Sequence, residues 1–127
     1  MPNFPRIRPA RPSDHADVVR VVDDWWDGRQ MAGLLQPLFL ENFSGTSLVA
    51  EDSNGELAGF LIGFVSPDNP TEAYVHFAGV APGSRASGLG RALYGAFDAV
   101  VGRRGVRLVR CVTSVVNTES VAFHEAI

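Results

Sequence analysis

The chain has no lysine; all 11 of its basic residues are arginine. A Gly-Lys-Ser/Thr phosphate loop is thereby excluded, because that loop needs a lysine ammonium against the phosphates. The chain also offers no lysine amine to an acylating agent. Cysteine occurs once, as Cys111, which excludes an internal disulfide and any multi-cysteine metal site. His15, His76 and His124 are the histidines; their spacing matches no metal-ligand pattern, so no metal is expected. Basic runs are missing as well. The longest is Arg103-Arg104, and with a formal net charge of -3 no nucleic-acid partner is expected. No apolar stretch approaches the ~20 residues that span a bilayer, and no secretory leader pattern opens the chain. No membrane partner is expected, and the expected compartment is the cytoplasm. Repeats, linkers and low-complexity segments are absent.

What is present suffices for one domain over residues 1–127. Hydrophobic residues at 46% can build a core, and charged residues at 20% argue against disorder. Arg6, Ile7 and Arg8 form a short first strand between prolines. Ser13 is placed to cap a helix, in which Val18, Val19, Val22 and Trp26 fall on one face. Asp23, Asp24 and Asp27 lie around its end, where Gly28 or Gly33 can break it. Leu34, Leu35, Leu38, Phe39 and Phe43 suggest a second helix interrupted by Pro37. Residues 46–51 and 56–65 read as a hairpin turned at Ser53, Asn54 and Gly55. A fourth strand over 72–80 is followed by a helix over 88–102, with Leu89, Leu93, Phe97, Val100 and Val101 as its buried stripe. A fifth strand over 106–113 and a final helix over 118–127 complete an α/β (α+β) pattern.

The richest stretch lies between the fourth strand and its helix, at Val80, Pro82, Arg85, Gly88, Gly90 and Arg91. A strand, a glycine-bearing turn and a helix start together make an anion cradle. The first N–H groups of a helix have no intrahelical partner, and its dipole adds positive charge there. Gly88 and Gly90 let the backbone approach a ligand closely, and the ligand suggested is a pyrophosphate. The dinucleotide fingerprint is a poor fit, because Leu93 stands where its third glycine belongs.

The Arg-x-x-Gly-x-Gly pattern at Arg85, Gly88 and Gly90, after Val80 and Pro82, resembles the acetyl-CoA loop of the GNAT N-acetyltransferase superfamily. Asn117, Ser120, Phe123 and His124 are similar to a second family segment, an asparagine followed by a small residue and an aromatic pair. The resemblance covers almost all of the chain. It is closest to small bacterial members of unassigned substrate, which share segments like Trp25-Trp26 and His76-Phe77. It implies a central mixed, mostly antiparallel sheet flanked by helices, with two further strands after the final helix. Those last two strands are missing from this chain, so a homodimer or an incomplete site is expected.

The resemblance implies an acetyl-CoA-dependent N-acetyltransferase in which a primary amine, of a small molecule or a peptide, attacks the thioester directly. The N–H near Ala78 would stabilise the oxyanion, and the Val80 backbone would pair with the pantetheine arm. N–H groups at Ala86, Gly88, Gly90 and Arg91 would hold the pyrophosphate, and Asn117 would meet the CoA arm from the other side. Arg85 or Arg91 could pair with CoA phosphates, or could be solvated surface arginines. His124 stands where many members have a tyrosine that protonates the departing thiolate; it either keeps that role or packs the last helix.

Strand alternation puts Glu72, Tyr74, His76 and Ala78 on one face and Ala73, Val75, Phe77 and Gly79 on the other. An attacking amine must lose a proton, and His76 is the residue of suitable type, with Glu72 acting directly or through water. Tyr74 sits where the resemblance places a base in some members, although tyrosine is a poor base near neutral pH. His76 is equally readable as a hydrogen-bonded structural histidine, and Cys111 as packing rather than an acyl carrier. Trp25, Trp26 and Asp27 would give a cationic amine an acidic, aromatic wall; a solvated helix end with packed indoles has the same sequence. A silent acyl-CoA-binding regulator and a strand-edge interaction module remain the alternatives.

Overall fold

A computed structural model describes residues 5–111 of the chain. Five strands form one sheet in chain order: β1 (Arg6–Pro9), β2 (Leu48–Glu51), β3 (Leu57–Val65), β4 (Glu72–Val80) and β5 (Leu108–Cys111). Neighbours are antiparallel except β4 and β5, which are parallel. The parallel pair is possible because α3 (Leu89–Gly102) carries the chain back between them. On the opposite face lie α1 (Asp14–Trp25) and α2 (Pro37–Phe43).

Each face has its own core. Toward α3, Leu61, Ala73 and Val75 pack with Leu89, Leu93, Tyr94, Phe97 and Val101. Toward α1 and α2, Val49, Phe60, Ile62 and Phe77 pack with Val18, Val22, Trp25 and Leu40. The helix α3 sits close to the sheet because β3 presents Gly63 there; a Cβ at that position would stand 2.5 Å from a Phe97 ring carbon.

The hairpin between β2 and β3 turns where expected. Gly55 takes a left-handed φ of +79°, and the Asp52 carboxylate accepts the N–H groups of Asn54 and Glu56. Strand β4 spans the expected residues, and α3 begins one residue after Gly88. Other local expectations are corrected. Ser13 stands at the start of α1 without a side-chain cap; the Asp14 carboxylate instead accepts the Arg11 N–H at 2.7 Å and a fork of bonds from Arg8. Trp25, not Trp26, continues the buried stripe of α1. Pro37 opens α2 rather than interrupting a longer helix, since its missing N–H costs nothing in a first turn. Strand β2 begins at Leu48, because Thr46 belongs to a short 3-10 turn. Tyr94 joins the buried stripe of α3 where Val100 was expected. The fifth strand begins at Leu108 rather than at residue 106, and positions beyond Cys111 lie outside the described residues.

Candidate active site

Strand β4 contains a bulge at its centre. Phe77 faces Ile62 across the ladder, but Val75 faces Gly63, so His76 is the extra residue. The bulge turns the alternation over. Ala73 and Val75 face α3 before it, and Ala78 and Val80 face α3 after it. Tyr74, His76, Phe77 and Gly79 face α1 and α2 instead. The expected face of Glu72, Tyr74, His76 and Ala78 is therefore split, because a bulge adds one residue to a count that assumes two per pleat.

His76 is held on both sides. Its ring stacks on Phe39 of α2 with centroids 4.0 Å apart, and its Nε2 lies 2.8 Å from the Leu34 carbonyl oxygen. A carbonyl only accepts, so Nε2 carries a proton, and in the tautomer that makes this bond the lone pair is on Nδ1. Tyr74 stacks on Phe64, which stacks on Phe43. Glu72 accepts from Arg110 at 3.1 Å and from Asn69 at 3.1 Å.

The α1 end forms the neighbouring wall. Trp25 is buried and stacks on Phe60, so it contributes packing. Trp26 is half-buried, with its ring edge-on to Phe77 at 5.0 Å. Asp27 is exposed with a φ of +56°, the left-handed position that ends the helix, and the Gly28 N–H closes the turn on the Asp23 carbonyl at 2.8 Å. The Asp23 carboxylate is occupied by the N–H groups of Met31 and Ala32.

The loop after β4 turns through two left-handed residues. Ala86 and Gly88 have φ of +65° and +89°, and a Cβ on Gly88 would meet nothing within 4 Å. The space above Gly88 is open to a ligand. The first turn of α3 holds no acidic residue to offset its dipole. Its Leu89 N–H donates to the Ser87 hydroxyl oxygen at 3.4 Å, while Gly90 and Arg91 supply first-turn N–H groups with no earlier carbonyl to bond. A serine just before a helix start is a capping signal legible in the sequence, and Ser87 fills that place here. Arg85 reaches away from the loop: it donates to the Trp25 carbonyl and, at 3.4 Å, to the Val80 carbonyl. Asn117 and His124 lie outside the described residues.

Residues 9–127 match the model of the acetyltransferase (GNAT) family. The chain belongs to that family. It is 29% identical over 121 residues to an L-2,4-diaminobutyric acid acetyltransferase of Nocardia farcinica, a match covering 95% of this chain and 62% of the relative. It is 34% identical over 84 residues to the protein of that name from Streptomyces coelicolor, covering 65% of this chain and 49% of the relative. The chain thus spans about half to three-fifths of the length of these relatives. A diaminobutyrate acetyltransferase from Paenibacillus lautus, solved with its substrate and coenzyme A, has the same fold. Its TM-score is 0.80 at 23% identity, over 98% of this chain and 75% of that one.

Beside β5, Tyr94, Asp98, Arg107 and Cys111 line a groove of about 350 Å³ on the α3 face. Burial pushes the Cys111 thiol up, the Tyr94 contact at 3.9 Å partly offsets this, and Asp98 adds to it. A thiol held protonated is a poor nucleophile. Among the described residues no group of three or more His, Cys, Asp or Glu side chains could hold a metal ion, and no helix is long and apolar enough to cross a membrane.

Proposed function

We propose that this chain transfers an acetyl group from acetyl-CoA to the primary amine of a small cationic acceptor, with L-2,4-diaminobutyrate as the first candidate. One observation carries the reading: in a chain of this family, the loop after the bulged β4 offers left-handed Ala86 and Gly88, an open space and uncompensated N–H groups. Gly88, Gly90, Arg91 and Ala86 would hold the pyrophosphate through their N–H groups. The Val80 backbone would align the pantetheine arm like an added strand, and Asn117 would meet it from the far side. The co-substrate supplies a thioester carbonyl, and the Ala78 N–H would polarise it. His76 is the proposed base, through Nδ1, since Nε2 is spent on Leu34. Glu72 acting through water is the second choice, because its carboxylate is already paired with Arg110. His124 is the proposed proton donor to the departing thiolate. Trp26, Asp27 and Tyr74 would face the acceptor, with Trp25 supporting Trp26 from the core. The acceptor class is supported by the names of the two curated relatives, and an exposed carboxylate on Asp27 next in sequence to the half-buried Trp26 suits a cation.

The test is calorimetric titration with acetyl-CoA, followed by thiol release with diaminobutyrate. Binding followed by thiol release supports the proposal. Binding without release, across a broad amine panel, selects the silent binder; no binding by a folded chain overturns both. His76→Gln keeps a donor for Leu34 but removes the proton acceptor, so kcat/KM should fall by roughly 10²–10⁴. An unchanged rate would move the base to Glu72.

A further inference from the structure

We propose that Arg85 is a positioning residue that couples the cofactor loop to the acceptor wall, rather than a ligand of the CoA phosphates. The proposal rests on the acetyl-transfer reading above. The guanidinium bridges two carbonyls that are far apart in sequence: Trp25 in the last turn of α1, and Val80 at the end of β4. The Trp25 carbonyl belongs to the last four of its helix, which have no partner further along it. A cation placed there is favoured by the negative end of the helix dipole. Arginine suits the task because its fork reaches two acceptors at once, from Nη2 and Nε, where a lysine ammonium is a point charge.

A second contact clamps the same helix end. Trp26, the next residue, lies against Gly79, so closely that a Cβ there would be 2.5 Å from Cη2 of the indole. The α1 end is therefore held at Gly79 and at Arg85, one on the strand and one in the loop that follow each other in the chain. A shift of the loop on filling with pyrophosphate has a direct route to Trp25, Trp26 and Asp27. Nothing in the spacing of Arg-x-x-Gly-x-Gly predicts this, because the partner lies 60 residues earlier.

The chain reports on its own coupling, since Trp25 and Trp26 are its two tryptophans and both sit at this clamp. The full chain is titrated with CoA while heat and tryptophan emission are recorded together, and the amine KM is measured with diaminobutyrate. In wild type the two signals should share one midpoint. Arg85→Met should keep the heat of CoA binding, lose most of the emission change, and raise the amine KM on the order of fivefold with kcat little altered. Arg85→Lys, which retains one donor, should restore part of the emission response, and it decides the matter if Arg85→Met does not fold. Arg103→Met, beyond the last turn of α3, controls for the lost charge. Loss of the CoA heat in a folded Arg85→Met would make Arg85 a phosphate ligand and overturn the proposal. So would an emission response and amine KM equal to wild type. A folded wild type that shows no heat with CoA is a separate result: it overturns the acetyl-transfer reading, and the coupling with it.

Discussion

The indole of Trp26 lies against the bare backbone of Gly79, with Cη2 and Cζ3 at 2.5 and 2.8 Å from where a Cβ would stand. The ring also meets Phe77 edge-on and tilts over Phe60 at 6.4 Å. This contact joins the end of α1 to the part of β4 proposed to carry the pantetheine arm. Gly79→Ala should therefore displace the ring and lower stability by about 1–3 kcal/mol. Urea unfolding and the emission maximum of the folded protein measure the two effects; a substitution neutral in both would mean the ring yields freely.

Gly88 differs from Gly79 because no protein atom opposes a side chain there. Gly88→Val should leave the fold intact at a cost on the order of 1–3 kcal/mol, from forcing a branched residue to a φ of +89°. Its CoA affinity should fall by more than tenfold, as the side chain fills the space proposed for the pyrophosphate. Gly95→Ala, on the exposed face of the same helix with nothing within 4 Å of its Cβ, should instead stabilise by roughly 0.5–1 kcal/mol. Calorimetry on the two variants separates a cradle from a merely convenient turn.

Asp27 holds a left-handed position past the end of α1, which helices that end this way usually give to glycine. Asp27→Gly should relieve that conformation and leave stability unchanged or raised by less than ~1 kcal/mol. If its carboxylate faces the acceptor, the same variant should raise the amine KM while the KM for acetyl-CoA stays constant. A variant that gains stability with no change in amine KM would remove Asp27 from the acceptor wall.

Acid should weaken the β1–α1–β2 corner through Asp14. Burial alone would raise its pKa, but hydrogen bonds from Arg8 and the Arg11 N–H outweigh burial and hold it below the usual carboxylate value. A carboxyl depressed in the folded state binds its proton more readily when unfolded. Its contribution is present above the unfolded pKa and is lost as pH falls through the folded one. Arg8, raised above its ordinary value chiefly by its bond to Asp14, stays charged throughout. Denaturant midpoints measured from neutral to acid pH should show a slope that Asp14→Asn flattens, along with lower stability at pH 7.

Cys111 should be dispensable for the chemistry. Burial raises its thiol, so alkylation near neutral pH should be slow. Cys111→Ala should turn over at the wild-type rate, as direct transfer requires; mass spectrometry finding an acetylated Cys111 during turnover would contradict this.

The sequence by itself determined β4, the loop after it and α3, almost to the residue, and with them the family. Those features are local: a period of two giving way to a period of 3.6, and glycines set by the backbone angle the turn needs. Tertiary structure decided which way the chemistry points. The bulge at His76 depends on how β3 pairs with β4, so alternation along β4 alone put Ala78 beside His76 when it faces the other side. Packing against Phe60 and Gly79 decided which indole is buried in the core and which stays half-exposed at the end of α1. The partner of Arg85 is a carbonyl brought near only when α1 folds across the sheet, and no pattern in one dimension carries that distance.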